Sequence, residues 1–114
     1  MLNRNLLFKF CDVSGLTYLR CSIGKWNIDL YSRDAEEIFK KINDEGVTVF
    51  RKQPGFISYR LMRASSDVTV AVAVWKSEEL GKVGAENYRG WMKENGIWNK
   101  LVLQTYDGEI VASS

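Results

Sequence analysis

The residues of this chain whose side chains are suited to binding or catalysis fall in two short segments. In the first segment, alternation along a strand places Ala71, Ala73 and Trp75 on one face, two small side chains beside an indole. In the second segment, Tyr88 and Trp91 have the i, i+3 spacing of one helix face. Small residues leave room for a ligand and aromatic residues form a wall, so the first set predicts a cavity for an apolar molecule. Ordinary packing, in the core or at a subunit contact, is the alternative for each aromatic residue.

The chain contains no histidine, which excludes several kinds of chemistry. It cannot form a Ser-His-Asp or Cys-His nucleophile pair, a His-ligated zinc or iron site, or a histidine-ligated heme. Its two cysteines, Cys11 and Cys21, are too few for a structural zinc site, which takes four Cys or His ligands. We therefore expect no bound metal and two reduced, packed thiols, and whether either thiol is reactive stays open.

Length and composition are those of one ordinary folded domain. The chain has 114 residues, of which 46% are hydrophobic and 26% charged, and its formal net charge is only +2. This near balance gives no reason to expect binding to nucleic acid or to a membrane surface. A signal peptide needs about 7–15 consecutive apolar residues and a membrane span about 20, and neither stretch is present. The expectation is a cytoplasmic protein.

The pattern of hydrophobic residues predicts the order strand, helix, two-stranded hairpin, helix, strand. We place the strands near 17–23, 56–63, 68–75 and 101–106, and the helix starts near Ser32 or Asp34 and at Ser77. With right-handed crossovers this order gives an α+β fold, the ferredoxin-like split βαβ sandwich, with a four-stranded antiparallel sheet and both helices on one face. Residues 1–16 are predicted to be an N-terminal arm or an extra strand, and 17–114 to be the domain itself.

Glycines set the expected helix ends. Gly46 is predicted to end the first helix, with a further turn after it. In the second helix, Gly81 and Gly84 each cost about 1 kcal/mol relative to alanine, so we expect a break or a closely packed stretch there and a firmer helix from Ala85 to about Asn95. Asp107-Gly108 is predicted to form a turn that ends the last strand.

One face of the predicted sheet has no helix to cover it. We assign Thr69, Ala71, Ala73 and Trp75 to that face, and an exposed apolar patch of this kind favours a second copy that closes over it, with the ligand cavity between the two sheets. Alternation groups Phe56, Ser58, Arg60 and Met62 opposite Ile57, Tyr59 and Leu61, so only one of Tyr59 and Arg60 can face a cavity. A buried arginine needs a carboxylate partner or an anionic ligand, which makes Arg20 and Arg60 residues of interest.

The chain resembles the antibiotic biosynthesis monooxygenase-like domains, which are dimeric α+β barrels. The resemblance covers about residues 17–106 and rests on the hairpin and on two flanking segments, Gln53-Pro54-Gly55-Phe56-Ile57-Ser58-Tyr59-Arg60-Leu61 and Val72-Ala73-Val74-Trp75-Lys76-Ser77-Glu78-Glu79. In that family a helix ends in a Pro-Gly-Phe turn, and the third strand runs into a Trp-x-Ser helix start. Each motif is short, and the two together in this element order carry the resemblance.

The resemblance implies a homodimer with a pocket in each half of the barrel, lined by a tryptophan that matches Trp75. Some members are monooxygenases that need no cofactor and oxidise polycyclic aromatic or quinol-like substrates with molecular oxygen. Other members degrade heme and hold its iron with a histidine of the second helix. Here Glu86, Asn87 and Tyr88 occupy the corresponding stretch. Heme degradation by that route is therefore disfavoured, and no cofactor is expected.

Two functions follow as hypotheses. The first is a small cofactor-independent monooxygenase acting on an apolar aromatic substrate, in which the base is Glu86, Tyr88 or the substrate's own ionisation. The second is a non-catalytic dimeric barrel that binds a small hydrophobic ligand or serves in a stress response. The residues expected to contact a ligand are Tyr59, Arg60, Ala71, Ala73, Trp75 and Trp91.

Overall fold

The computed structural model describes residues 17–114, so the arm or extra strand predicted for residues 1–16 lies outside the described residues. The strands are β1 (Tyr18–Trp26), β2 (Phe56–Arg63), β3 (Val68–Trp75) and β4 (Leu101–Glu109). The helices are α1 (Arg33–Lys41), α2 (Val47–Arg51) and α3 (Glu78–Glu94), with a π-helical turn at Ile42–Gly46 and a 3-10 turn at Trp98–Lys100. The strands pair antiparallel in the order β2-β3-β1-β4. The predicted ferredoxin-like sandwich is confirmed.

Serine side chains start both long helices, as the sequence predicts. The Ser32 hydroxyl accepts a hydrogen bond from the backbone N–H of Ala35, and the Ser77 hydroxyl accepts one from the N–H of Leu80. Each bond satisfies a helical N–H group that has no partner within its helix. Of the two caps proposed for α1, Ser32 is the one that the structure uses rather than Asp34.

Gly46 does not end the first helical segment, because the backbone continues through the π-helical turn into α2. The glycine is needed for contact instead: a Cβ atom there would lie 2.9 Å from Cζ3 of Trp91 and 3.2 Å from Cε1 of Tyr88. The π-helical turn re-aims the helix so that α2 carries the buried side chain of Phe50 towards the sheet.

Helix α3 is continuous, so of the two expectations for Gly81 and Gly84 the break is wrong and the closely packed stretch is confirmed. Both glycines lie on the buried face of the helix, where the helix backbone packs directly on the indole of Trp75. A Cβ atom would come within 3.1 Å of the ring at Gly81 and clash outright with it at Gly84. The contact with a large buried aromatic ring outweighs the cost of two glycines within the helix.

The helices cover the face of the sheet that the sequence analysis left bare. Thr69, Ala73 and Trp75 are buried beneath them, and Ala71 lines the space between sheet and helices. Alternation shows which residues share a face but does not show which face the helices cover, and this is why the prediction was wrong. The opposite side, called the open face below, carries the apolar side chains Leu19, Cys21, Ile23, Met62, Val70, Val72, Val74 and Tyr106.

A β-bulge shifts the alternation of β2 by one residue. Phe56 pairs with Trp75 and Ser58 pairs with Val74, so Ile57 is the extra residue. The bulge moves Phe56 to the helix-covered face and corrects its predicted grouping with Ser58. From Ser58 onward the predicted grouping is confirmed. Tyr59 therefore faces the helices, and Arg60 belongs to the open face.

Strand β4 continues past its predicted end. The expected turn at Asp107-Gly108 is wrong, because both residues pair with β1, Asp107 opposite Arg20 and Gly108 opposite Leu19. The longer pairing places the Asp107 carboxylate on the helix-covered face, next to the arginine.

Candidate active site

A cavity of about 80 Å³ lies between the helix-covered face of the sheet and the helices. Ala71 and Ala73 on β3 form its floor, and their small side chains leave the space between the layers unfilled. Tyr88 and Met92 of α3 form its roof, and Phe50 of α2 closes one side. The predicted ligand cavity therefore lies inside one subunit, between sheet and helices, rather than between two sheets.

Stacked aromatic rings make up one wall of the cavity. The ring of Phe50 stacks against those of Tyr59 and Tyr88, with centroid distances of 4.4 and 4.2 Å, and meets Trp75 edge-on at 5.9 Å. Stacked and edge-to-face rings contribute about 0.5–1.5 kcal/mol per pair beyond the area that they bury. This wall therefore presents flat apolar surface to a ligand.

The two tyrosines of this wall keep their protons at neutral pH. Burial raises the pKa of Tyr59 to about 12, and burial together with the nearby Tyr59 hydroxyl raises the pKa of Tyr88 still further. Neither hydroxyl is ionised under physiological conditions, so neither is a tyrosinate base. The two hydroxyls are hydrogen-bonded to each other, so the pair keeps one proton that it can donate to a ligand.

The indole of Trp75 carries an unsatisfied donor. The side chain is wholly buried, and its Nε1 has no hydrogen-bond partner in the part of the chain that the structure describes. Buried donors are almost always paired, so an unpaired one indicates a bound water or a ligand oxygen. At the other end of the sheet, the corresponding nitrogen of Trp26 donates to Thr69 Oγ1 at 2.9 Å.

Polar side chains line one side of the cavity, between α3 and β4. Thr105 of β4 is one of them, and it is exposed to solvent. Arg20 lies there and donates to Asp107 at 2.8 Å. Arg89 of α3 pairs with Glu86, and its guanidinium lies 5.4 Å from the ring centroid of Trp98. This side is the mouth of the cavity, because it combines lining residues with solvent exposure.

The residues predicted to form the site separate into two groups. Tyr59, Ala71, Ala73, Trp75 and Tyr88 line the cavity, whereas Arg60, Trp91 and Glu86 do not. Arg60 belongs to the open face, Trp91 stacks behind Tyr88 at 5.6 Å, and Glu86 is exposed. Whether the first group binds a substrate stays a prediction.

Some lining residues were not predicted. Phe50 belongs to a helical turn that the sequence showed only as a continued apolar stripe, and Arg89 was not assigned to a face of the second helix. The partner of Arg20 could be identified only with the true end of β4, since the predicted turn removed Asp107 from the sheet.

The described residues contain no group of three His, Cys, Asp or Glu side chains that could hold a metal ion. Among the helices of residues 17–114, none combines the length and apolar character that crossing a bilayer requires.

Neither the protein-family models nor the curated protein sequences contain a match to this chain. Solved structures do share its fold. A variant of SnoaB, a cofactor-independent oxygenase from Streptomyces nogalater, superposes with a TM-score of 0.65 at 15% identity, over 86% of this chain and 96% of its own. A Nitrosomonas europaea protein provisionally described as an antibiotic biosynthesis monooxygenase gives a TM-score of 0.64 at 12% identity, over 87% and 94% of the two chains.

A dimeric ferredoxin-like protein from an uncultured marine organism gives a TM-score of 0.66 at 9% identity, over 86% of this chain and 98% of its own. Identities this low establish the fold alone. The chain therefore has the fold of the antibiotic biosynthesis monooxygenases, and the resemblance seen in its Pro-Gly-Phe and Trp-x-Ser motifs is confirmed at that level.

Proposed function

We propose that the protein is a cofactor-independent monooxygenase that oxidises a small aromatic molecule bound between the sheet and the helices. The observation that carries the proposal is the cavity wall: stacked aromatic rings together with the protonated hydroxyls of Tyr59 and Tyr88 and the unpaired indole nitrogen of Trp75. Such a wall binds a flat ring and offers hydrogen-bond donors to an oxygen atom on it. SnoaB, described as a cofactor-independent oxygenase, shares the fold.

The reaction requires an electron-rich substrate anion and molecular oxygen. In the keto tautomer of a phenol, quinol or enol, the activated ring carbon is a CH₂ group. This group loses two hydrogens and gains one oxygen atom of O₂ to become a carbonyl, and the second oxygen atom leaves with both hydrogens as water. Donors that surround the anionic oxygen stabilise the charge, and exclusion of water protects the reactive intermediate. We infer that the free proton of the Tyr59–Tyr88 hydroxyl pair and the Trp75 N–H act as these donors.

The proton must be lost without help from a carboxylate in the wall. Among the described lining residues there is no Asp or Glu, and Glu86, the carboxylate suggested by the sequence, is exposed and paired with Arg89. The raised pKa of Tyr59 also excludes a tyrosinate base at neutral pH. We infer that the substrate ionises itself, which restricts it to acidic phenols, quinols and enols.

The size of the cavity restricts the substrate further. A space of about 80 Å³ is smaller than the cavity of about 150 Å³ that accepts benzene in an engineered protein core. A single ring therefore enters only with small movements of the lining, and further atoms of the substrate extend through the mouth beside Thr105. Single-ring quinols fit this space better than fused polycyclic compounds.

We also propose that two copies associate through the open face. Its central residues Val70, Val72 and Val74 are flanked by Leu19 and Ile23 of β1. Contiguous exposed apolar patches are uncommon on monomers and mark interfaces. A protein with the same fold is described as dimeric. Because the cavity lies on the other side of the sheet, the dimer stabilises the cavity floor without forming its walls.

A second candidate function is supported by the missing lining carboxylate. Without a base, the same cavity can bind a small hydrophobic ligand and perform no chemistry, as a binding protein or a stress-response protein does. This alternative predicts ligand binding of the same geometry with no oxygen consumption.

Oxygen uptake with a graded set of substrates separates the two functions. The set contains a single-ring quinol, a naphthalenediol and anthrone, each corrected for oxidation without protein. We expect uptake with the wild type, at least tenfold less with Trp75→Ala or with Ala71→Leu, which fills the cavity floor, and unchanged uptake with Glu86→Gln. If the whole set binds but none raises uptake above the protein-free rate, the binding function replaces the enzyme.

A further inference from the structure

Two arginine side chains stand in the wall of an otherwise mostly apolar cavity. Arg20 extends from β1 and Arg89 from α3, and both line the space. The Arg20 side chain is 13% exposed and that of Arg89 34% exposed, so both guanidinium groups lie between the interior and the solvent. We propose that they form an anion subsite that binds a carboxylate group on the aromatic ligand. The inference rests on the proposed ligand cavity and names the chemical class of the ligand.

Both guanidinium groups keep free donors for such a ligand. Arg20 uses Nη1 for Asp107, and Arg89 uses Nη1 for Glu86. A guanidinium has five N–H groups, and within residues 17–114 the other nitrogens of both side chains make no hydrogen bond. The stacking of Arg89 near Trp98 holds its position before a ligand arrives.

The pairing carboxylates explain why the subsite is stable when empty. A half-buried arginine without a partner would be costly, and Asp107 and Glu86 remove that cost. The planar fork of arginine matches a carboxylate in shape.

The neighbouring hydroxyl groups fit the same chemistry. Ser22 and Thr105 form the cross-strand pair next to Arg20 and Asp107 on the helix-covered face, and both line the cavity. Their hydroxyl oxygens lie 3.2 Å apart. The mouth therefore combines guanidinium and hydroxyl donors, while the floor beneath it consists of alanine. A ring inside the cavity with its carboxylate at the mouth satisfies both regions.

A matched pair of probes tests this subsite by calorimetric titration. Benzoate and benzamide have the same ring and nearly the same shape, and only benzoate is charged. We expect wild-type protein to bind benzoate about tenfold more tightly than benzamide. Arg20→Gln combined with Arg89→Gln should abolish that preference by weakening benzoate binding more than benzamide binding. Arg51→Gln, which removes an exposed arginine that does not line the cavity, should preserve it.

Two further measurements guard against misfolding and indirect effects. Arg20→Lys keeps the charge beside Asp107 but loses the planar fork, so we expect an intermediate preference from a variant that folds normally. Chemical-shift changes on benzoate binding should include Ala85 and Thr105 at the mouth. Equal affinity for both probes in the wild type, or a preference that survives in the double variant, overturns the subsite while the oxygenase proposal stands. Failure of both probes to bind removes the cavity as a ligand site and overturns both.

Discussion

Gly84 lies directly against the six-membered ring of Trp75, so closely that no side chain fits between helix α3 and the indole. A Cβ atom at this position would overlap Cη2 and Cζ3 of the ring. Gly81 makes the same kind of contact one turn earlier, where a Cβ atom would stand 3.1 Å from Cδ1. The pair of glycines therefore sets how deeply the tryptophan is buried, and with it the end wall of the cavity.

Replacing Gly84 should destabilise the protein although alanine is the better helix former. We expect Gly84→Ala to lower the free energy of unfolding by about 1–3 kcal/mol, because the new methyl group overpacks the ring of Trp75. Gly90 is the matched control, since it lies in the same helix and a methyl group added there would meet nothing within 4 Å. Gly90→Ala should raise stability by up to about 1 kcal/mol. Urea unfolding monitored by circular dichroism measures both, and equal effects would mean that the contact is unimportant.

A charge on the open face should separate the subunits. Val70 lies between Ile23 on β1 and Met62 on β2, so a lysine there places an unpaired charge among apolar side chains. We expect Val70→Lys to weaken dimerisation at least about a hundredfold. Val83→Lys, on an exposed position of α3, is the control. Sedimentation of the wild type as a monomer at micromolar concentration would refute the dimer.

The rate of oxidation should follow the ionisation of the substrate. With no carboxylate base in the described lining, log kcat/KM should rise with pH up to the pKa of the phenol or quinol used, and it should move when a substrate of different acidity is used. Tyr88→Phe should lower the rate by removing a donor without moving that midpoint. A midpoint near pH 4–5 shared by all substrates would instead reveal a carboxylate base.

Alkaline solution should destabilise the fold through its buried tyrosines. In the unfolded chain Tyr59 loses its proton near pH 10, whereas in the folded protein its pKa is about 12. The stability that this difference contributes is fully present below pH 10 and is lost as pH rises towards 12. Tyr59→Phe should therefore reduce the loss of stability between pH 9 and 11, measured by urea unfolding. Tyr31→Phe, at an exposed position, should leave the pH dependence unchanged.

Local signals in the sequence predicted the elements well, and long-range contacts decided what was missed. The serine caps and the hairpin depend on neighbouring residues, so Ser32 and Ser77 could be recognised directly. The continuity of α3 depends on Trp75, a partner from another element, and a glycine considered alone indicates only a weak helix. Likewise the extra residue at Ile57 becomes visible only when β2 is aligned with β3.

The candidate site was found in part for the same reason. Alternation grouped Ala71 and Ala73 with Trp75 correctly, since period two is a property of the strand alone. It could not tell whether helices or a second sheet lay above them, so the cavity was expected between two sheets and not beneath the helices. The ion pair of Arg20 required the register between β1 and β4, which no local pattern in either strand reveals.

The two tryptophans that close the cavity differ in one hydrogen bond. The Trp26 nitrogen is satisfied by Thr69, whereas the Trp75 nitrogen has no acceptor among the described residues. The two ends of the cavity therefore differ: the indole nitrogen at one end is already hydrogen-bonded, and the one at the other end still requires an acceptor. An asymmetric substrate would bind in a single orientation, with its acceptor atom at the Trp75 nitrogen. That orientation would determine which of its carbon atoms reacts with oxygen.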